Sequence, residues 1–367
     1  MDIPFNNLYL QYLNIKDEID TGIQSVINNC AFIRGKYVQE FEQKYAISYG
    51  VKHCISCGNG TDAIYICLKS LGIKSGDDVI TTSSSWISTS ETITQTGATP
   101  VFIDIEPDFY SIDASKIEKK ISERTKAIIP VHLYGHPAEM LKIKQLCQKY
   151  NLYLIEDCAQ AHFAEYNDSR VGTFGDFGTF SFYPGKNIGA FGDAGAIITN
   201  NDDLACQARM YANHGSLKKH DHKIEGINSR MDGLQAAILS IKLKYIGAWT
   251  NKRIENARYY NDCLKGIEYI TIPKIREGST HVFHLYVIRC PEREALIEYL
   301  KRNNIETGIH YPKALPFLEA YKYLGHIPED FPVINKFQNE ILSLPMFPEL
   351  KINEIEFISE KIREFYS

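Results

Sequence analysis

Between about residue 50 and residue 200, short runs rich in β-branched and aromatic residues alternate with segments of helical periodicity. That alternation restricts the chain to few architectures. The runs are 78–81, 101–104, 127–131, 153–156, 179–182 and 196–199. Between them Ile64, Cys67, Leu68 and Leu71 recur at helical spacing after Thr61 and Asp62, and Leu141, Leu146 and Tyr150 mark a second helix. Strands alternating with helices build an α/β fold, a mostly parallel sheet covered on both faces.

From about residue 230 the pattern changes to longer helical stretches, 230–245 and 252–264, then a strand-like segment, 282–289. A helix at 292–303 follows, then a stretch punctuated by Pro312, Pro316, Pro328, Pro332, Pro345 and Pro348, and a last helix near 354–364. A chain of 367 residues exceeds one ordinary domain. The change in pattern divides it into a large α/β domain, 1–245, and a smaller C-terminal α+β domain, 246–367.

Composition removes several function classes. With 44% hydrophobic and 23% charged residues the chain is an ordinary globular one. Its net charge of -5, with Lys and Arg dispersed, offers no basic stripe for nucleic acid. The longest apolar runs, such as 152–155 and 196–198, fall far short of the roughly 20 residues of a membrane span. The opening Met1-Asp2-Ile3-Pro4 leads into no basic and apolar secretion signal, so the chain is read as cytoplasmic. Nine scattered cysteines read as reduced thiols, and the single C-x-x-C of Cys54 and Cys57 lacks the second pair a zinc site needs. No metal is expected.

Three motifs carry chemistry. Gly58-Asn59-Gly60-Thr61-Asp62 precedes a helix read as starting at Ala63, where a close backbone approach and the positive helix end favour a phosphate. Glu156-Asp157-Cys158-Ala159-Gln160 ends the apolar run 152–155, where an acid can reach a bound group; a helix N-cap is the competing reading of Asp157. Ser181-Phe182-Tyr183-Pro184-Gly185-Lys186-Asn187, followed by the glycine-rich 189–195, sets a lysine in a tight turn after a strand. A lysine becomes a usable nucleophile when desolvation lowers its pKa from about 10.4. An anion cradle, an acid 29 residues before a lysine and that lysine's amine are the three groups pyridoxal 5′-phosphate (PLP) asks for.

These residues, with His214-Gly215 and Gly226-Ile227-Asn228-Ser229-Arg230-Met231-Asp232, resemble the DegT/DnrJ/EryC1/StrS sugar aminotransferases almost end to end. The resemblance implies the fold type I PLP scaffold, with a mostly parallel seven-stranded sheet. It implies that Gly60, Thr61 and Ser181 bind the phosphate, Trp86 stacks on the ring, Asp157 pairs with the ring nitrogen, Gln160 lies near the phenolic oxygen and Lys186 takes the aldehyde. Asn228 matches a position that reaches the neighbouring subunit's cofactor, which implies a homodimer with shared sites. Tyr183, His214, Arg230, His310 and Tyr311 are candidate substrate contacts; a structural turn competes for His310 and Tyr311, and a fold-fixing role for Arg230.

The activity implied is amino transfer from L-glutamate to a keto-deoxyhexose linked to dTDP or UDP, for a surface glycan. Dehydratases of the family carry histidine where Lys186 stands. The form 183–190 with 192–195 looks more like members acting at C-3 than at C-4. A PLP-dependent aldolase or decarboxylase, and a PLP-fold regulator without turnover, are the competing readings.

Overall fold

The computed structural model describes residues 1–367. Seven apolar segments pair into one sheet: β1 (His53–Cys57), β2 (Asp78–Thr82), β3 (Thr99–Ile103), β4 (Thr125–Ile129), β5 (Tyr153–Asp157), β6 (Phe177–Ser181) and β7 (Gly195–Thr199). Their order is β1-β7-β6-β5-β4-β2-β3. Only β7 runs against its neighbours; the other pairings are parallel. The carboxyl ends of six strands therefore share one edge. The antiparallel register of β7 brings Gly195, its first residue, opposite both Cys57 and Ser181 at that same edge.

The sheet is mostly parallel and seven-stranded, as the resemblance implied, and β1 is the strand that the alternating runs did not include. His53-Cys54-Ile55-Ser56-Cys57 is short and carries two cysteines, so its β character is weak as a pattern. Side chains three apart on a strand face opposite ways. Cys54 packs into the core on one face and Cys57 into the core on the other, which keeps the C-x-x-C thiols apart. All nine thiols are free.

Helices cover both faces. On one lie Lys16–Asn28, Lys36–Tyr49 and Gly233–Lys242, sealing a core around Phe41, Tyr45, Phe180 and Phe182. On the other lie Gly60–Ser70 and Asp202–Tyr211, with Ile64, Leu68, Ile129, Ile155 and Ala208 between them and the strands. Each large aliphatic or aromatic side chain so buried contributes about 1.5–3 kcal/mol. Gly50 ends Lys36–Tyr49 at φ 69°, a left-handed cap that glycine adopts without strain.

The C-terminal part has a core of its own. Helix Ile246–Leu264 packs with Arg293–Arg302 and Ile352–Phe365 against an antiparallel pair, Tyr286–Arg289 with Ile341–Leu344. Ile355, Ile358 and Ile362 recur every three or four residues along the last helix and all are buried, the stripe that makes it fold there. Tyr260 stacks on Tyr286 at 4.6 Å, and Ile3 joins this core through a parallel bridge to Ile305. No helix is long and apolar enough to cross a membrane.

One buried carboxylate ties the centre of the sheet to the loop before β6. Glu156 accepts the N–H groups of Gly172 (2.8 Å), Phe174 (2.7 Å) and Gly175 (3.0 Å) and faces His132 Nε2 at 3.2 Å. His132 Nδ1 accepts from Ala138 N–H at 3.0 Å, which leaves Nε2–H to donate to Glu156. Cys158 completes a cluster of potential metal ligands within 4.8 Å, but the lone pairs of Glu156 and His132 that a cation would use already hold N–H donors. Glu156→Gln replaces one acceptor oxygen by a donor facing backbone N–H groups. It should lower the urea unfolding free energy by about 3 kcal/mol; an unchanged midpoint would remove Glu156 from this role.

Candidate active site

At the end of β1 the chain turns through Gly58 and Asn59 into helix Gly60–Ser70. Asn59 is the N-cap, extended at φ -167°, and its side chain accepts from Asp62 N–H at 2.8 Å. The helix thus starts three residues earlier than its apolar spacing indicates, because Asn59 caps it and Thr61 and Asp62 form its first turn. The N–H groups of Gly60 and Thr61 have no intrahelical partner there. A Cβ on Gly60 would lie 2.6 Å from Ser181 Cβ, and one on Gly195 would lie 2.2 Å from the Asn59 carbonyl oxygen. Both glycines are needed for β6 and β7 to close on the cradle. Thr61 Oγ1 meets Ser88 Oγ at 2.7 Å. The first-turn N–H groups therefore stand beside the hydroxyls of Thr61 and Ser88, with Ser181 packed against Gly60.

Asp157, the last residue of β5, is buried. Its Oδ2 accepts from Thr89 Oγ1 at 2.8 Å and its Oδ1 from Ala159 N–H at 3.1 Å. A turn follows rather than a helix, so Asp157 is not a helix N-cap. A carboxylate offers about four acceptor positions, and two donors leave room for a third. Gln160 Oε1 accepts from Tyr134 N–H at 2.7 Å, and its Nε2 donates to Tyr311 Oη at 3.0 Å. The Tyr311 ring lies 5.6 Å from Trp86, centroid to centroid. Burial, with Asp157 nearby, raises the Tyr311 phenol well above its ordinary value.

Lys186 sits in the turn after β6, its N–H donating to Tyr183 O at 2.8 Å. Asn187 anchors the turn with Nδ2 on Val282 O at 3.1 Å and Oδ1 at 3.2 Å from His284 Nδ1. The Lys186 side chain keeps part of its surface accessible, yet protein surrounds its amine. That desolvation lowers the amine to about 8 against the opposing pull of Asp157. Near neutral pH the share of neutral amine is therefore far larger than for a solvated lysine. Burial also pushes His162 to about 3, His310 to about 4 and His284 well below its ordinary range. These imidazoles are neutral and add no cation beside the amine.

The fold brings Gly60, Thr61, Trp86, Asp157, Gln160, Ser181, Lys186, His310 and Tyr311 to this carboxyl edge. Tyr183 stands at the rim, 59% exposed, its N–H on Ser181 Oγ at 3.3 Å. His310 packs at 5.6 Å on Phe5, and its Nδ1 meets Ser343 Oγ at 2.8 Å. His214, Asn228 and Arg230 lie apart on a second loop, held by His214 N–H on Ile227 O at 2.9 Å and a bridge between Asn213 and Asn228. His214 and Asn228 are exposed, and Arg230 lines a separate cleft with Arg34, Glu42 and Arg209. Ser229 alone links that loop to the cradle, accepting from Gly58 N–H at 2.9 Å and donating to Asp62 Oδ2 at 2.6 Å.

Sequence reasoning did not single out Thr89, Ser88, Ser229, Tyr134, Asn187 or His284. Asn187 and Ser229 lie inside motifs that were read for a neighbouring residue, and Ser88 and Thr89 follow Trp86 by two and three residues. Tyr134 and His284 come from distant segments with no pattern of their own, and only the fold brings them in.

First-turn N–H groups with three hydroxyls fit a phosphate, the open acceptor position of Asp157 fits a protonated ring nitrogen, and the desolvated amine of Lys186 fits an aldehyde. The chain's similarities agree with that set. The model of the DegT/DnrJ/EryC1/StrS aminotransferase family matches residues 13–363. A Geobacillus stearothermophilus protein named "Pleiotropic regulatory protein" is 43% identical, covering 100% of this chain and 99% of its own. The dTDP-3-amino-3,6-dideoxy-alpha-D-galactopyranose transaminase of Aneurinibacillus thermoaerophilus is 43% identical, covering 99% of each. The crystal structure of S. venezuelae DesV in complex with a ketimine intermediate superposes with a TM-score of 0.98 at 35% identity, covering 100% of this chain and 99% of that one. Motif order, site geometry and end-to-end similarity together place the chain in the DegT/DnrJ/EryC1/StrS aminotransferase family.

Proposed function

We propose that the protein is a PLP-dependent aminotransferase that places an amino group at C-3 of a keto-deoxyhexose linked to dTDP or UDP, with L-glutamate as donor. The observation that carries this reading is a desolvated lysine amine that feels the charge of a buried carboxylate, which itself still has an open acceptor position. The sugar and the position on it follow the transaminase relative, which acts on a 3-amino-3,6-dideoxyhexose.

PLP, when bound, supplies an aldehyde and an electron-accepting ring that acidifies the hydrogen on the carbon bearing an attached amine. The chain's own residues do the rest. Gly60, Thr61 and Ser181 hold the phosphate by N–H and O–H groups, and Trp86 covers the ring. Asp157, oriented by Thr89, keeps the proton on the ring nitrogen, since a nearby carboxylate favours the charged form. Lys186 Nζ would hold the aldehyde, and its desolvated amine would be the group that takes up and returns the proton of the carbon bearing the transferred amine. Gln160, held between Tyr134 and Tyr311, would lie near the phenolic oxygen of the ring. Tyr183, His310 and Tyr311 border the space left for sugar or donor, and Arg230 and His214 would act only from the second loop.

That second loop supports a homodimer with shared sites. Asn228 is exposed, and Ile33, Leu217 and Ile224 beside it are apolar and 40–53% exposed, a surface that suits a second copy. We place the cofactor-binding unit at 1–245 and the smaller unit at 246–367, and the enzyme in the cytoplasm, serving a surface glycan. Amino transfer at C-4 is the alternative within the same chemistry. The regulatory name of the Geobacillus relative favours a second reading, cofactor binding without turnover.

Cofactor-loaded protein should lose its yellow colour with L-glutamate and regain it on addition of a nucleotide-linked 3-keto sugar. Lys186→Ala should do neither. No response to glutamate would favour the regulator, and recovery with only 4-keto sugars would move the reaction to C-4. Asp157→Asn cannot hold the ring proton, so its turnover should fall at least about a hundredfold, roughly 3 kcal/mol of barrier. Near-normal turnover in that variant would remove Asp157 from its role.

A further inference from the structure

One lysine is buried outright, and it is not Lys186. Lys242, the last residue of helix Gly233–Lys242, is 2% exposed and donates from Nζ to the carbonyl of Gly189 at 2.7 Å. The same ammonium lies 4.6 Å from the centre of the Phe191 ring. Burial lowers it to about 8, with Glu349 opposing. Burying a cation is costly, and core positions rarely hold lysine unless it bonds to something specific. Here the partner is backbone, three residues beyond Lys186.

The helix makes a second contact with the same turn. Gln235, seven residues before Lys242 and so on the same helical face, accepts from Phe191 N–H at 2.8 Å through Oε1. The turn itself is closed: Ala190 N–H donates to Phe182 O at 2.7 Å, and a Cβ on Gly189 would lie 2.1 Å from Pro184 O. With that packing Gly189 cannot shift without displacing Pro184, and with it the segment that carries Lys186. Asn187 pins the opposite side to Val282 and His284. Lys186 is therefore held from two sides, and only the Lys242 side uses a charge.

We propose that Lys242 is a positioning residue: its ammonium clamps the Gly189 carbonyl and so fixes where the amine of Lys186 points during amino transfer. Lys242 itself is no candidate for the aldehyde, since its amine is already bonded to the Gly189 carbonyl and its side chain is closed off from solvent. The proposal rests on the amino-transfer reading, so its test includes a readout independent of that reading.

The test is Lys242→Met, which keeps the apolar stem, with Lys242→Met/Glu349→Gln alongside to relieve the carboxylate left facing no lysine. Hydrogen exchange of the holoprotein, followed peptide by peptide, should quicken about tenfold or more over 184–192 and stay unchanged in the Tyr45 and Tyr260 cores. The glutamate half-reaction should slow at least about tenfold with the KM for glutamate within about twofold. Equal quickening of exchange throughout the chain would make Lys242 a stability residue and overturn the proposal. So would an unchanged turn, or a loosened turn with an unchanged half-reaction rate. Should the parent protein prove to transfer no amine, a loosened turn would still support the clamp while the amino-transfer reading failed.

Discussion

The structure turns on keeping one amine short of water with a buried carboxylate near enough to pull on its charge. Left in solvent, Lys186 would be an ordinary cation; enclosed, its amine falls to about 8, and Asp157 keeps it from falling further. Each group constrains the other, because an unpaired charge at either position would be costly. The sheet resolves this by ending β5 and β6 side by side, with Asp157 in register with Thr179 two residues before the β6 terminus. The lysine turn then folds back over that edge.

The glycines follow from the same requirement. Gly60 and Gly195 sit where a Cβ would strike Ser181 or the Asn59 carbonyl, so phosphate cradle and lysine turn approach as closely as backbone allows. Neighbouring imidazoles are neutral by burial, and Lys242 directs its charge at a carbonyl of the turn. The smaller C-terminal part takes a share in the site through Val282 and His284 against Asn187, and through Tyr311 against Gln160 and Trp86.

Much of this was legible in the sequence, for identifiable reasons. Six strands showed as apolar runs bounded by helical periods, and the last helix showed near 354–364. β1 did not, since five residues with two cysteines lack a β signature. Strand limits slid by about two residues at 125–131 and 177–182, because hydrogen bonding rather than hydrophobicity ends a strand. In the site, Gly60, Asp157 and Lys186 stood out because each lies in a local motif whose geometry is set by its neighbours. Thr89, Tyr134 and His284 act across long sequence separations, and no local pattern encodes such a meeting. His214, Asn228 and Arg230 were read from a motif that the fold places on another loop, tied to the cradle only by Ser229.

The central claim is that one particular amine holds the cofactor. Reduction of the PLP-loaded protein with borohydride, followed by proteolysis and mass spectrometric mapping, locates the bond directly. A single phosphopyridoxyl group on the peptide containing Lys186 is the expected result. The same group on Lys242, whose amine is also desolvated, or on no single lysine, would contradict the account.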